Sequence, residues 1–154
     1  NWELEDAINV CRANEIDALE IRMNFHPWSD LSLPDQNYRE NYKLISDNQM
    51  KVSDLGTGIR INHYSQNDLE ELKRCSQIAN LMHCRGLRIM LGYKRKLWSE
   101  EVPDIDYNGI VRWLIEADEI LQQYETEIWL ETHNEFATGK MLRELLNQYD
   151  FRNI

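Results

Sequence analysis

Apolar residues recur along this chain with two periods in turn, one helical and one extended. Trp2, Leu4, Ala7, Ile8, Val10 and Cys11 fall on a helical period that ends at the polar pair Asn14-Glu15. Ile16–Met23 alternates instead, with Leu19, Ile21 and Met23 on one face and Ala18, Glu20 and Arg22 on the other, which predicts a strand. A loop over 24–34 holds His26, Pro27, Trp28 and Pro34. The spacing of Tyr38, Tyr42 and Ile45 then predicts a helix over Asp35–Asp47. Met50–Leu55 reads as a strand and Gly56–Arg60 as an extended or turning segment. Asn67 is the predicted N-cap of a helix striped by Leu69, Leu72, Cys75, Ile78, Ala79 and Met82, which Gly86 stops. Leu87–Tyr93 is the next strand, Tyr107–Tyr124 a helix striped by Ile110, Val111, Leu114, Ala117, Ile120 and Leu121, and Ile128–Leu130 the centre of a further strand. A last helix is expected from about Thr138 to Tyr149.

Strands separated by helices predict an α/β fold with about four parallel strands and flanking helices. No linker or low-complexity segment divides the chain, so residues 1–154 read as one domain. The most informative stretch is Glu-Ile-Trp-Leu-Glu-Thr-His-Asn-Glu-Phe at 127–136. Alternation puts Trp129, Glu131 and His133 on one face and Ile128, Leu130 and Thr132 on the other, both bulky, as in a parallel strand buried on both sides. Its polar C-terminal end is where barrels and open parallel sheets carry their sites. Glu131 there suits an oxygen ligand for a divalent metal, or an acid/base beside a carbonyl. A structural hydrogen-bonded pair of Glu131 and His133 is the alternative.

If the strands are parallel, their ends bring Glu20 and Arg22, Asp54, Thr57 and Arg60, Tyr93 and Lys94, and Glu131, His133 and Asn134 to one rim. Glu20 and Arg22, two apart on one face, also fit a mutually neutralising pair. Gly56 and Gly58 permit close backbone approach to a phosphate, and equally make a simple turn. Lys94-Arg95-Lys96 either draws an anionic substrate or is a solvated loop. His26 and Trp28 lie in a loop placed to act as a lid. Trp2 and Trp113 fit helix stripes of the core.

Leu130-Glu131-Thr132-His133-Asn134-x-Phe136 resembles the fifth strand of xylose-isomerase-like barrels. Asp17–Arg22 resembles the second strand, Val52–Thr57 the third, Leu87–Gly92 the fourth, and Phe151–Ile154 the lead-in to a sixth. The resemblance implies a partial (β/α)8 TIM barrel, strands two to five, and the activity of a metal-dependent sugar or sugar-phosphate isomerase or epimerase working through an enediolate. It makes Glu131 both the catalytic carboxylate and the first ligand of a divalent ion (Mn, Mg, Co or Zn). His133, Asn134 and Phe136 become substrate-pocket residues, while Arg22, Arg60 and Lys94 would hold a carboxylate or phosphate of the substrate. The endonuclease branch of the superfamily adds histidines after strands two and three; His26 matches the first, and no histidine stands at Gly56–Arg60. An eightfold barrel needs about 250 residues. The chain therefore reads as an internal fragment, itself catalytically silent, with a self-contained four-stranded layer as the alternative. Exposed sheet edges and an apolar inner face would favour a homo-oligomer.

Charge narrows the partners. Asp and Glu outnumber Lys and Arg by 27 to 17, a net charge of −10, against the basic stripe of a nucleic-acid binder. This disfavours a DNA-repair enzyme of the endonuclease IV type, although that remains an alternative, as does a non-catalytic α/β module binding a ligand or partner. No apolar run approaches the roughly 20 residues of a membrane span. Cys11, Cys75 and Cys84 lack metal-ligand spacing, and Cys75 and Cys84 fall about 13 Å apart along one predicted helix. Unbridged thiols in a reducing cytoplasm are expected.

Overall fold

The two periods sort into helices and strands as expected in the computed structural model, which describes residues 2–92 and 104–154. The order is α1 (Leu4–Ala13), β1 (Ala18–Arg22), α2 (Asp35–Asp47), β2 (Lys51–Ile61), α3 (Gln66–Leu81), β3 (Gly86–Leu91), α4 (Tyr107–Tyr124), β4 (Glu127–Glu131) and α5 (Gly139–Leu146). The four strands form one parallel sheet in the order β1-β2-β3-β4. Successive parallel neighbours joined by helices make an α/β layer, as the alternating periods predict.

One face of the sheet carries the core. Ile21, Leu55, Leu87, Ile89 and Ile128 are all buried and pack with Leu72, Cys75 and Ile78 of α3 and Trp113, Leu114 and Leu121 of α4. The opposite face is polar and open, with Glu20, Arg22, Arg88 and Glu131 along it. This corrects two expectations. β4 is covered on one side only, and Trp129 is 47% exposed on the other. The inner face is also charged rather than apolar, so it is no hydrophobic patch.

β2 departs most from the sequence reading. It runs on through both glycines to Ile61, so Gly56–Arg60 is extended, one of the two expected alternatives, and belongs to the strand rather than following it. Its register against β1 slips between Leu19 and Glu20, leaving Ser53 as an extra residue. That bulge lets Val52 and Leu55 both face the helices while Asp54 and Gly56 face the open side. A second irregularity against β3 lies between Gly56 and Arg60, where the Thr57 hydroxyl donates to the Arg88 carbonyl at 2.9 Å.

The helix ends also differ in detail. Ser65, not Asn67, caps α3, its hydroxyl accepting from the Asp68 N–H at 3.3 Å. α3 ends before Gly86, because His83 takes the left-handed turn (φ 54°) that reverses the chain into β3. Glu15, Gln49 and Glu125 do the same after α1, α2 and α4. A glycine search misses these turns, since each uses a residue that pays some backbone strain. Cys84 therefore sits outside the helix; all three cysteines are free, and burial pushes the thiols of Cys75 and Cys84 up to about 12.

α4 starts at Asp106, whose carboxylate accepts from the Gly109 N–H at 2.9 Å. A Cβ on Gly109 would run into that carboxylate and lie 2.9 Å from the Tyr64 backbone nitrogen. Gly109→Ala is expected to cost about 1–2 kcal/mol by breaking the cap, read as a lower thermal midpoint. Further along α4, Asp118 accepts from the backbone N–H of Arg152 and Asn153 at 3.3 and 2.8 Å. This pins 151–154 beside β4, where the Asn153 carbonyl accepts from the Ile128 N–H at 2.8 Å. The segment thus lies along the β4 edge, without being a strand.

Candidate functional site

The register stacks the open face into rows. Glu20, Asp54, Gly86 and Glu127 form the lowest; Arg22, Gly56, Arg88 and Trp129 the next; Arg60, Met90 and Glu131 the one at the mouth. All three rows are tied together by one side chain. Arg88 donates through Nε and Nη2 to the two carboxylate oxygens of Glu20 at 2.8 and 2.7 Å, and through Nη1 to Oε2 of Glu131. It thus spans from β1 to β4, passing over β2.

Gly56 makes the passage possible. A Cβ there would lie 2.6 Å from Glu20 Oε1 and 2.9 Å from Arg88 Nη2. The value of this glycine is the absence of a side chain under the bridge, not a turn. Both groups it would meet are ends of flexible side chains, so Gly56→Ala is expected to part Glu20 from Arg88 while changing stability little. Chemical shifts of the Arg88 Nε–H would report it.

The charges are set by this bridge. The Arg88 hydrogen bonds hold the Glu20 carboxyl below its usual range and, with Glu131, push the guanidinium higher still. Burial acts the other way on Asp54, whose carboxyl is raised despite the Ser53 hydroxyl donating to it at 2.7 Å. Arg60 is lowered by burial, opposed by Glu131 and Glu135. Its Nη2 contacts Met90 Sδ at 2.7 Å, and its Nη1 is buried with no hydrogen-bond partner among the described residues.

The sign for pH follows from Glu20. A depressed folded-state pKa gives stability that is full above the ordinary value of 4.5 and is lost as pH falls through the folded value. Asp54, raised from 3.8, works in the opposite sense. Arg88→Met is therefore expected to be less stable than wild type above pH 4.5, with the gap narrowing on acidification below it. Urea unfolding on both sides of that pH checks this.

The structure gathers some of the sequence candidates and separates others. Glu131 and Arg60 share the mouth row, and Arg60 feels the Glu131 charge. Arg22 does not pair with Glu20 as the two-residue spacing allowed; its guanidinium lies over the Phe25 ring at 4.6 Å. His133 is half-buried just past β4, and Asn134 opens the short 3₁₀ turn Asn134–Phe136. Phe136 is fully buried, edge-on to Tyr107 at 5.8 Å between ring centroids, so in this structure it packs the core and offers no exposed surface to a ligand. Lys94, with Tyr93, Arg95 and Lys96, lies outside the described residues. Arg88 was missed by sequence reasoning. Its signal was an arginine at a strand position facing away from Leu87 and Ile89.

Beside the end of β1, Trp2, Ala7, Phe25, His26 and Trp28 line a cavity of about 400 Å³. The His26 and Trp28 rings stack at 5.0 Å, and His26 Nδ1 is buried with no hydrogen-bond partner among the described residues. A cleft of about 600 Å³ lined by Asn80, His83, Arg85 and Asn153, among others, lies at the opposite ends of the strands, away from Glu131.

A divalent ion needs several oxygen or nitrogen donors. No group of three His, Cys, Asp or Glu side chains able to hold one is gathered among the described residues. Glu131 also already accepts from Arg88. By themselves these residues do not fit a metal centre. No helix among the described residues is long and apolar enough to cross a membrane.

Parallel strands in sequential order, helices on one face and charged side chains on the other define the class: a segment of a β/α barrel. More particularly, the fold is that of a partial xylose-isomerase-like TIM barrel. Among solved structures, 3-keto-D-glucoside 4-epimerase from E. coli is similar at a TM-score of 0.77 and 15% identity, over 99% of this chain and 62% of that one. A xylose isomerase-like TIM barrel protein from Mycobacterium smegmatis in complex with magnesium aligns at 0.74 and 11%, over 99% and 56%. D-psicose 3-epimerase in the presence of D-fructose aligns at 0.69 and 13%, over 94% and 55%. The chain thus spans between about half and two thirds of the length of these structures. No protein-family model and no curated protein matches it.

Proposed function

We propose that the protein containing this chain is a sugar or sugar-phosphate isomerase or epimerase, with Glu131 as the group that takes and returns the proton. The observation that carries the reading is a carboxylate at the C-terminal end of a parallel strand, in one row with Arg60 and tethered by Arg88. A carboxylate so placed removes a proton from carbon next to a substrate carbonyl, and the resulting enediolate is reprotonated at the neighbouring carbon or on the other face. Arg60, with a donor to spare among the described residues, holds the enediolate oxygen or an anionic group of the substrate. Arg22, Lys94, His133 and Asn134 complete the substrate contacts, and Phe136 supports the turn that begins at Asn134.

In a metal-dependent enzyme of this kind, a divalent ion (Mn, Mg, Co or Zn) would supply Lewis acidity, and Glu131 would be the one ligand this chain contributes, the others coming from outside it. The sugar epimerases among the similar structures, and the magnesium-bound one, support sugar chemistry and a metal for the whole protein. We place it in the cytoplasm as a homo-oligomer that binds small sugars, not nucleic acid or membrane. The exposed Trp129 supports association, which light scattering on the purified chain would test.

The reaction class is tested with the whole protein in deuterated water. Proton transfer through an enediolate is expected to place deuterium at the carbon beside the carbonyl of the sugar. Conversion without any exchange under single-turnover conditions, or no conversion of any ketose or aldose offered, counts against it. A second reading has its own observation: the Arg88 bridge to Glu131 is also what a purely structural ion pair looks like. In that case the protein is a non-catalytic binding module.

A further inference from the structure

Half-buried arginines in this protein find carboxylates: Arg74 pairs with Asp35, and Arg88 with Glu20 and Glu131. Arg60, at the mouth of the sheet, is the exception. It is half-buried too, yet its Nη1 has no hydrogen-bond partner among the described residues, and its Nη2 meets the thioether sulfur of Met90 at 2.7 Å. A thioether is a weak acceptor, and a guanidinium cannot shed its charge in a protein. Burying a cation without a counter-ion costs free energy. The charges of Glu131 and Glu135 reach Arg60, but neither carboxylate bonds to Nη1, and Glu131 already accepts from Arg88. All this occurs in a chain whose 27 acidic residues outnumber its 17 basic ones.

We infer that Arg60 selects an anionic sugar by binding its phosphate or carboxylate group, and that the Met90 sulfur holds that place until the group arrives. This rests on the proposed reading of the open face as a sugar site, and it names the class of sugar. A guanidinium offers two parallel N–H donors that match the oxygens of either group. Nη1 and Nη2 present such a fork once Met90 swings aside, and an unbranched thioether side chain yields at little cost. The placement suits one small molecule. Arg60, Met90 and Glu131 share a row on three adjacent strands, so Arg60 and Glu131 stand roughly 10 Å apart at the backbone. An anionic group held at Arg60 leaves the other end of the sugar beside the Glu131 carboxylate. Arg88 neutralises that carboxylate, which lowers its repulsion of the incoming anion.

The test is anion binding to the whole protein at constant ionic strength, followed by NMR of the Met90 methyl group and the Arg60 Nε–H. Inorganic phosphate or acetate is expected to shift both signals: phosphate at the lower concentration for a phosphorylated sugar, acetate for a sugar acid. Arg60→Gln is expected to weaken binding about ten- to a hundredfold, the range for a hydrogen bond to a charged group. Arg60→Lys keeps the charge without the fork and is expected to recover part of the loss. No shift with either anion, or equal binding by Arg60→Gln, overturns the inference. Should Arg60→Gln fail to fold, Met90→Leu keeps the volume and removes the sulfur. It is expected to bind the anion more tightly than wild type; equal or weaker binding overturns the inference. The two readings fail separately. No anion binding, with deuterium exchange still lost in Glu131→Gln, removes the anion site and leaves the reaction. Anion binding lost in Arg60→Gln, with exchange unaffected by Glu131→Gln, does the reverse.

Discussion

Glu131→Gln is expected to lower turnover of the whole enzyme by about 10²–10⁴-fold, the range for losing a positioned general base. The substitution keeps size and hydrogen-bonding shape. The amide oxygen can still accept from Arg88 Nη1, so the bridge to Glu20 survives and the fold is not put at risk. Stability is expected to stay near wild type, since Glu131 is 40% exposed and an exposed pair contributes little. This separates chemistry from structure: a loss of activity with an unchanged thermal midpoint supports Glu131 as the base. Unchanged activity supports the non-catalytic module.

Trp113→Ala is expected to have the largest effect on stability, about 3–5 kcal/mol, because the ring is fully buried where α4 meets α3. Two losses combine there. The cavity left by the indole cannot close between packed helices, and the Ser65 carbonyl loses the indole N–H that donates to it at 3.1 Å. Ser65 is also the N-cap of α3, so the damage reaches the central helix. For a domain of this size each kcal/mol moves the midpoint by roughly 2–4 °C, giving a fall of roughly 6–20 °C. Trp129→Ala is the contrast: its ring is 47% exposed over Gly86, and little stability should be lost. Equal losses at the two tryptophans would mean that the open face is buried in solution, as it would be in a tight oligomer.

These two tryptophans also show what local pattern can and cannot read. Helical spacing placed Trp113 in the core, and the bounds of α2 and α4 match their apolar stripes to the residue. Alternation likewise found the right face for Trp129. It could not tell that nothing among the described residues covers that face, because both sides of the strand carry bulky residues. The extent of β2 was missed for a related reason: glycines break local patterns, while the pairing that keeps Gly56 and Gly58 in a strand comes from neighbours distant in sequence. Glu131 stood out because a charged side chain at the end of an apolar run is a local signal. Arg88 did not, because its importance lies in what is next to it.

The sequence alone determined the alternation of strands and helices, the likeness to the xylose-isomerase-like barrel, the buried helix stripes and the carboxylate at the end of β4. Each depends on residues close together in the chain, where backbone period and side-chain polarity suffice. Only the tertiary structure decided that Glu20 pairs with Arg88 rather than Arg22, that Arg88 also holds Glu131, and that Phe136 packs inward. Those outcomes depend on register, on the Ser53 bulge and on the empty space above Gly56. Such features arise when segments separated by tens of residues are brought side by side, and local period carries no record of them.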